Sequence, residues 1–162
     1  MLFTKEEFYG RAYKEARRKP RMVTVFDSDN NELESIDVSC ISVQVYWGKR
    51  EVFDDTLHFY YQTLRHHYES EGINWKEVVD GMSRSQRSIV SPSMRNAPWD
   101  IQDIDVTAYN LIIERFTTVL PDRVTSGNYL AGMTIGHVDW SEINLIARFE
   151  NYYIRIDSHF NC

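Results

Sequence analysis

Two short spacings late in the chain place imidazole beside carboxylate. His137-Val138-Asp139 and Asp157-Ser158-His159 each separate a histidine from an aspartate by one residue. On a β-strand, positions i and i+2 share a face. If the two strands paired in register, both histidines and both aspartates would converge. Two imidazoles with carboxylates suit zinc or a non-haem iron. Such a site would serve a metal-dependent hydrolase or oxygenase, with Glu142 placed to act as a base. The same pattern also arises from polar residues at strand ends, and Trp140-Ser141-Glu142 can turn the chain directly after Asp139.

The remaining reactive side chains form no further centre. His66 and His67 are adjacent and point about 100° apart on a helix, so they lack the i, i+4 spacing of a helical zinc pair. His58 lies two turns earlier, and one of these histidines is expected at the edge of a core face. Cys40 reads as a small buried apolar residue and Cys162 as a terminal thiol. No Gly-x-Gly, Gly-Lys-Ser/Thr or Gly-x-Ser-x-Gly occurs among the 7 glycines, which removes the common phosphate loops and the nucleophile elbow. A non-catalytic protein without a cofactor is therefore the leading expectation.

Charge offers the other kind of chemistry. The chain has a formal charge of −6, unevenly spread. Residues 1–26 carry +4, residues 27–83 carry −8, residues 84–95 carry +3 and residues 96–162 carry −5. The acids Asp27, Asp29, Glu32, Glu34 and Asp37 form one patch, and Glu51, Asp54 and Asp55 form another. Such patches steer a cationic partner. Arg84, Arg87 and Arg95 stand among serines, with Trp99 beyond them. Guanidinium forks suit phosphate oxygens, and an indole can stack on a base. Arginine and tryptophan also anchor protein interfaces. The leading reading is a small acidic inhibitor, immunity or adaptor-type factor that binds and blocks another macromolecule, most simply a protein with a basic surface. RNA or single-stranded nucleic acid bound on the Arg84–Arg95 segment is the alternative on the opposite charge.

The whole chain must position these groups. Its 162 residues suit a single domain. Hydrophobic residues at 43% and aromatics at 14% are too abundant for disorder. No apolar run reaches the ~20 residues of a membrane span, and the first residues do not resemble a signal peptide. With 2 cysteines there is no disulfide framework, so a cytoplasmic protein is expected. The 10 tyrosines and 4 tryptophans exceed what one sheet face needs, which points to an exposed aromatic patch and a homo-oligomer.

Helix signals are clear at the start. Thr4 and Glu7 have capping-box spacing, Phe3 and Phe8 the spacing of a hydrophobic staple, and Phe8, Ala12 and Ala16 form a stripe ending before Pro20. Arg17, Arg18 and Lys19 read as a solvated helix end. Met22–Phe26 is a strand, followed by a turn. The alternation slips between Cys40 and Ile41, which predicts a β-bulge. Asp54 or Asp55 caps a helix bearing Leu57, Tyr60, Tyr61, Leu64 and Tyr68, which Gly72 ends. Asn74 caps a short helix ending at Gly81. Residues 83–99 hold two prolines and no periodicity, so they form a long loop. Asp103 or Asp105 opens a helix with Tyr109, Ile112, Ile113, Phe116 and Leu120 inward. A strand over 129–136 follows, with Ala131 and Gly132 leaving room for a backbone or ligand. A hairpin then turns at Glu150-Asn151, where Asn tolerates positive φ. The expected fold is α+β, an N-terminal β pair and three C-terminal strands in a largely antiparallel sheet, with about four helices on one face.

Overall fold

A computed structural model describes residues 1–28, 41–82, 101–114, 128–136 and 143–160. The order is α1 (Lys5–Ala16), β1 (Thr24–Ser28), β2 (Ile41–Lys49), a 3-10 turn (Arg50–Val52), α2 (Thr56–Ser70), α3 (Trp75–Met82), β3 (Ile101–Ile104), α4 (Val106–Ile113), β4 (Tyr129–Ile135), β5 (Ile143–Phe149) and β6 (Tyr152–Phe160). The six strands form one sheet in the order β1-β2-β6-β5-β4-β3. Every neighbouring pair is antiparallel. The α+β class, the N-terminal β pair, the three C-terminal strands and the four helices are all present.

The local signals act as their chemistry dictates. The Thr4 hydroxyl accepts from the Glu7 N–H at 3.0 Å. Phe3 stacks on Phe8 with ring centroids 6.2 Å apart, the staple made visible. Asp55 rather than Asp54 caps α2, accepting from the His58 N–H at 2.9 Å. Asp105 rather than Asp103 caps α4, accepting from Ala108 at 2.8 Å. Asn74 accepts from Lys76 at the start of α3, a helix that runs through Gly81 to Met82. Gly72 takes φ +76, the left-handed step that lets the chain leave α2.

Three expectations change. Helices cover both faces of the sheet, not one. Phe8, Ala12, Leu57, Tyr61 and Trp75 from α1, α2 and α3 pack with Tyr46, Met133, Ile146 and Tyr153 of the strands. On the other face Tyr109, Ile112 and Ile113 of α4 pack with Val45, Leu145, Phe149, Ile154 and Ile156. Strands β5 and β6 therefore carry apolar residues on both faces, Leu145 beside Ile146 and Tyr153 beside Ile154, as a sheet covered on both sides requires. Second, Ile101–Ile104 is a fourth C-terminal strand at the sheet edge, too short to show an alternation. Third, the space at Gly132 is filled from within the chain. A Cβ there would lie 2.5 Å from the Tyr129 hydroxyl, which reaches over to donate to the Ile104 carbonyl.

The hairpin after β5 also turns differently. Among the described residues no non-glycine adopts positive φ, so Asn151 does not. Arg50 holds the turn instead, its guanidinium donating to the Phe149 and Glu150 carbonyls at 3.2 and 2.9 Å. The Arg50 N–H donates to the Asn151 carbonyl at 3.0 Å. Cys40, and with it the expected slip before Ile41, lies outside the described residues. The register shift that is seen falls in β4, between Tyr129 and Ala131.

Candidate functional site

The described half of the histidine–aspartate constellation sits on β6. Asp157 lies opposite Gln44 of β2 and Asn144 of β5, and His159 opposite Ser42. Strand parity puts Asp157 with Tyr153 and Arg155 on the face that α2 covers. Asp157 is half-buried, and its carboxylate accepts from Arg155 Nη2 at 3.2 Å. The strand leading to His137 is β4, which pairs with β5 and not with β6. Among the described residues, β5 stands between β4 and β6. His137 and Asp139 lie outside the described residues, as do Asp29, Glu32, Glu34, Asp37, Arg84, Arg87, Arg95 and Trp99. Asp27 is on β1, opposite Gln44. Among the described residues, no three His, Cys, Asp or Glu side chains are grouped so as to hold a metal ion.

Arg155 is the unexpected centre of that region. It is 2% exposed, between the sheet and α2. Its Nε donates to Asn144 at 3.3 Å and its Nη1 to the Thr63 hydroxyl at 3.1 Å. Its guanidinium lies 4.8 Å from the centroid of Tyr60 and 5.4 Å from that of Tyr46. Asn144 also donates to the Tyr60 hydroxyl at 2.9 Å. Buried charge is tolerable only when paired and fully hydrogen-bonded, and β5, β6 and α2 each supply part of that shell.

A second ionic group joins α1 to the start of α2. Glu15 is 1% exposed. It pairs with Arg11 at 2.6 Å and with Arg18 at 3.0 Å. Those arginines reach on to Asp55 at 2.6 Å and Asp54 at 2.5 Å. The basic end of the first helix is therefore engaged in part. Arg17 covers Tyr13, while Arg18 turns inward. Asp55 keeps a lowered pKa: burial raises it, but the Arg11 hydrogen bond and the His58 N–H outweigh that.

His58, 2% exposed, completes the group. Its Nδ1 accepts from the Asp54 N–H at 3.1 Å. The neutral ring thus carries its proton on Nε2, which is buried with no hydrogen-bond partner among the described residues. Burial and then the nearby Arg18 push its pKa below the ordinary histidine value, against Glu15, Asp54 and Asp55. Protonating Nδ1 would place two donors face to face. A depressed folded pKa means that the unfolded chain binds the proton more readily. The stabilisation is complete above the unfolded value of about 6.5 and is lost as pH falls through the folded one. Urea midpoints of the wild type should fall from pH 7 to pH 5. His58→Asn, whose side-chain oxygen replaces Nδ1 as acceptor, should show a shallower fall across that interval. An equal slope in both proteins would refute this role for His58.

The open concavities lie at the hairpin end of the sheet. A groove of about 800 Å³ is lined by Trp47, Lys49, Glu51, Phe53, Glu150 and Tyr152, among others. Tyr152 stacks on Phe149 with centroids 4.7 Å apart, which fixes one wall. Lys49, Glu51 and Glu150 are exposed at the rim. Glu51 belongs to the expected acidic group, but the aromatic partners around it come from β2 and β6, which only the sheet register brings together. Comparison with family models, curated proteins and solved structures finds no match.

Proposed function

We propose that this protein is a non-catalytic interaction factor, of the inhibitor or adaptor kind, that docks a basic segment of another protein in the groove at the hairpin end. The observation that carries the reading is the joining of the half-buried Trp47 and Tyr152 with the exposed acids Glu51 and Glu150 around one groove, with the buried Phe53 also at its lining. Tryptophan and tyrosine supply most of the energy at interface centres, and charged rims steer the approach. Asp54 already binds Arg18 and Arg50 already binds backbone carbonyls. Glu150 accepts from Asn128 at 2.5 Å, a neutral donor that leaves its charge uncancelled. Among the described residues the groove charges without an ion pair include Lys49, Glu51 and Glu150, an acidic excess that favours a cationic partner. The expected acidic stretch at 27–37 would extend the same logic on another part of the chain.

The test begins with a photo-crosslinking residue at position 51, introduced in the native host, and identification of the captured protein. Binding of that purified partner should then weaken as salt rises. Glu51→Lys with Glu150→Lys should slow association about tenfold, and Trp47→Ala should speed dissociation. Wild-type association by the double charge reversal, or a partner whose crosslinked surface is acidic, would overturn the reading.

A further inference from the structure

A second, smaller cavity of about 200 Å³ lies beside the groove, with Leu2, Phe3 and Leu57 among its lining and charged side chains over much of the rest. Glu7 and Arg11 of α1, Arg50 of the 3-10 turn, Asp54 and Asp55 before α2, and Arg148 of β5 line it. We propose that this cleft binds a small oxyanion, a phosphate or carboxylate group, on Arg148 and Arg50.

The pairing of its charges leads to that assignment. Asp55 accepts from Arg11 through both carboxylate oxygens, at 2.6 and 3.1 Å. Asp54 is held by Arg18 at 2.5 Å. Both acids are therefore engaged by arginines of α1 and its C-terminal flank, leaving the other two guanidiniums uncompensated. Arg50 donates through Nη1 to the neutral carbonyls of Phe149 and Glu150, which does not cancel its charge. Among the described residues Arg148 has neither an ion pair nor a side-chain hydrogen bond, and its buried Nε has no partner. A buried cationic donor left unmatched is costly, and the group that relieves it is an anionic acceptor. Guanidinium forks match the paired oxygens of carboxylate and phosphate. Glu7 is the one cleft carboxylate outside these pairs among the described residues. It opposes the bound charge and limits the site to a small anion of low charge.

This site stands apart from protein docking in the groove, and the two can fail separately, because inorganic ions on the purified protein test it. Melting is followed in sodium phosphate, sodium acetate and sodium chloride at one ionic strength. A ligand that binds only the folded state raises the melting temperature saturably. Phosphate or acetate should do so and chloride should not, and the responding ion identifies the source as a phosphoryl or a carboxylate group. Arg148→Gln should weaken binding about tenfold or more, and Glu7→Gln should tighten it several-fold. Should Arg148→Gln fold poorly, the Arg148 Nε–H resonance of the wild type provides the same decision: it shifts on titration with the binding ion. Identical melting in all three salts, an unmoved Nε–H resonance, or a wild-type response in a folded Arg148→Gln protein would each overturn the assignment.

Discussion

Arg155→Ala is expected to destabilise the fold by about 3–5 kcal/mol, the cost of removing one partner from a buried ion pair. For a chain of this size that is a fall in melting temperature of roughly 10 °C. The substitution withdraws hydrogen bonds from Asn144, Thr63 and Asp157 together. It also empties the space between the rings of Tyr46 and Tyr60. Asp157 remains half-buried without its cation. The companion variant decides whether charge or packing dominates. Arg155→Met with Asp157→Leu replaces the pair by apolar volume and should recover much of the loss, since well-packed hydrophobic substitutes often equal a buried ion pair. Urea denaturation of both proteins gives the comparison. A loss under about 1 kcal/mol for Arg155→Ala would show that water already shares the site.

Phe8→Ala should cost about as much, roughly 3–5 kcal/mol, by a different mechanism. Phe8 is fully buried. Its ring stacks on Tyr61 at 4.9 Å and meets Tyr60 edge-on at 5.7 Å. The Tyr61 hydroxyl donates to the Phe8 carbonyl at 2.8 Å, fixing helix against helix. Alanine would leave a cavity bounded by rigid rings that cannot collapse. Phe8→Leu, which keeps most of the volume, should cost only about 1–2 kcal/mol. Calorimetry of the two variants separates them, and near-equal melting temperatures would contradict a rigid aromatic wall around Phe8.

Much of the fold was legible because local chemistry decides it. The Thr4–Glu7 cap, the Phe3–Phe8 staple, Asp55, Gly72 and the buried face of α2 are all written within one or two turns of chain. Strand β3 was not, because four residues cannot display a period. The second covered face was missed for a related reason. A strand buried on both sides loses its alternation, so Ile143–Phe149 does not announce which neighbours it meets. The candidate site was less legible still. His137 and Asp139 stand out through close spacing, while Arg11, Arg50 and Arg148 are scattered along the chain and line one cleft only through the packing of α1, β5 and the turn before α2. Glu15 had a visible signal, lying four residues after Arg11 and three before Arg18. A carboxylate flanked in that way is equally common on an exposed helix face, so the spacing alone does not show that this one is buried.

Strand order carries a consequence for how this protein is made. β2 lies between β1 and β6, and its register runs from Ile41 opposite Phe160 to Lys49 opposite Tyr152. The two partners are roughly a hundred residues apart, so a long loop must close before they meet. On the ribosome, β2 emerges long before β6 and shows an unpaired edge flanked by Val43, Val45 and Tyr46. Such an edge invites wrong pairing. Chaperone demand during synthesis should therefore centre on Ile41–Lys49, and end when the β5–β6 hairpin arrives to claim it.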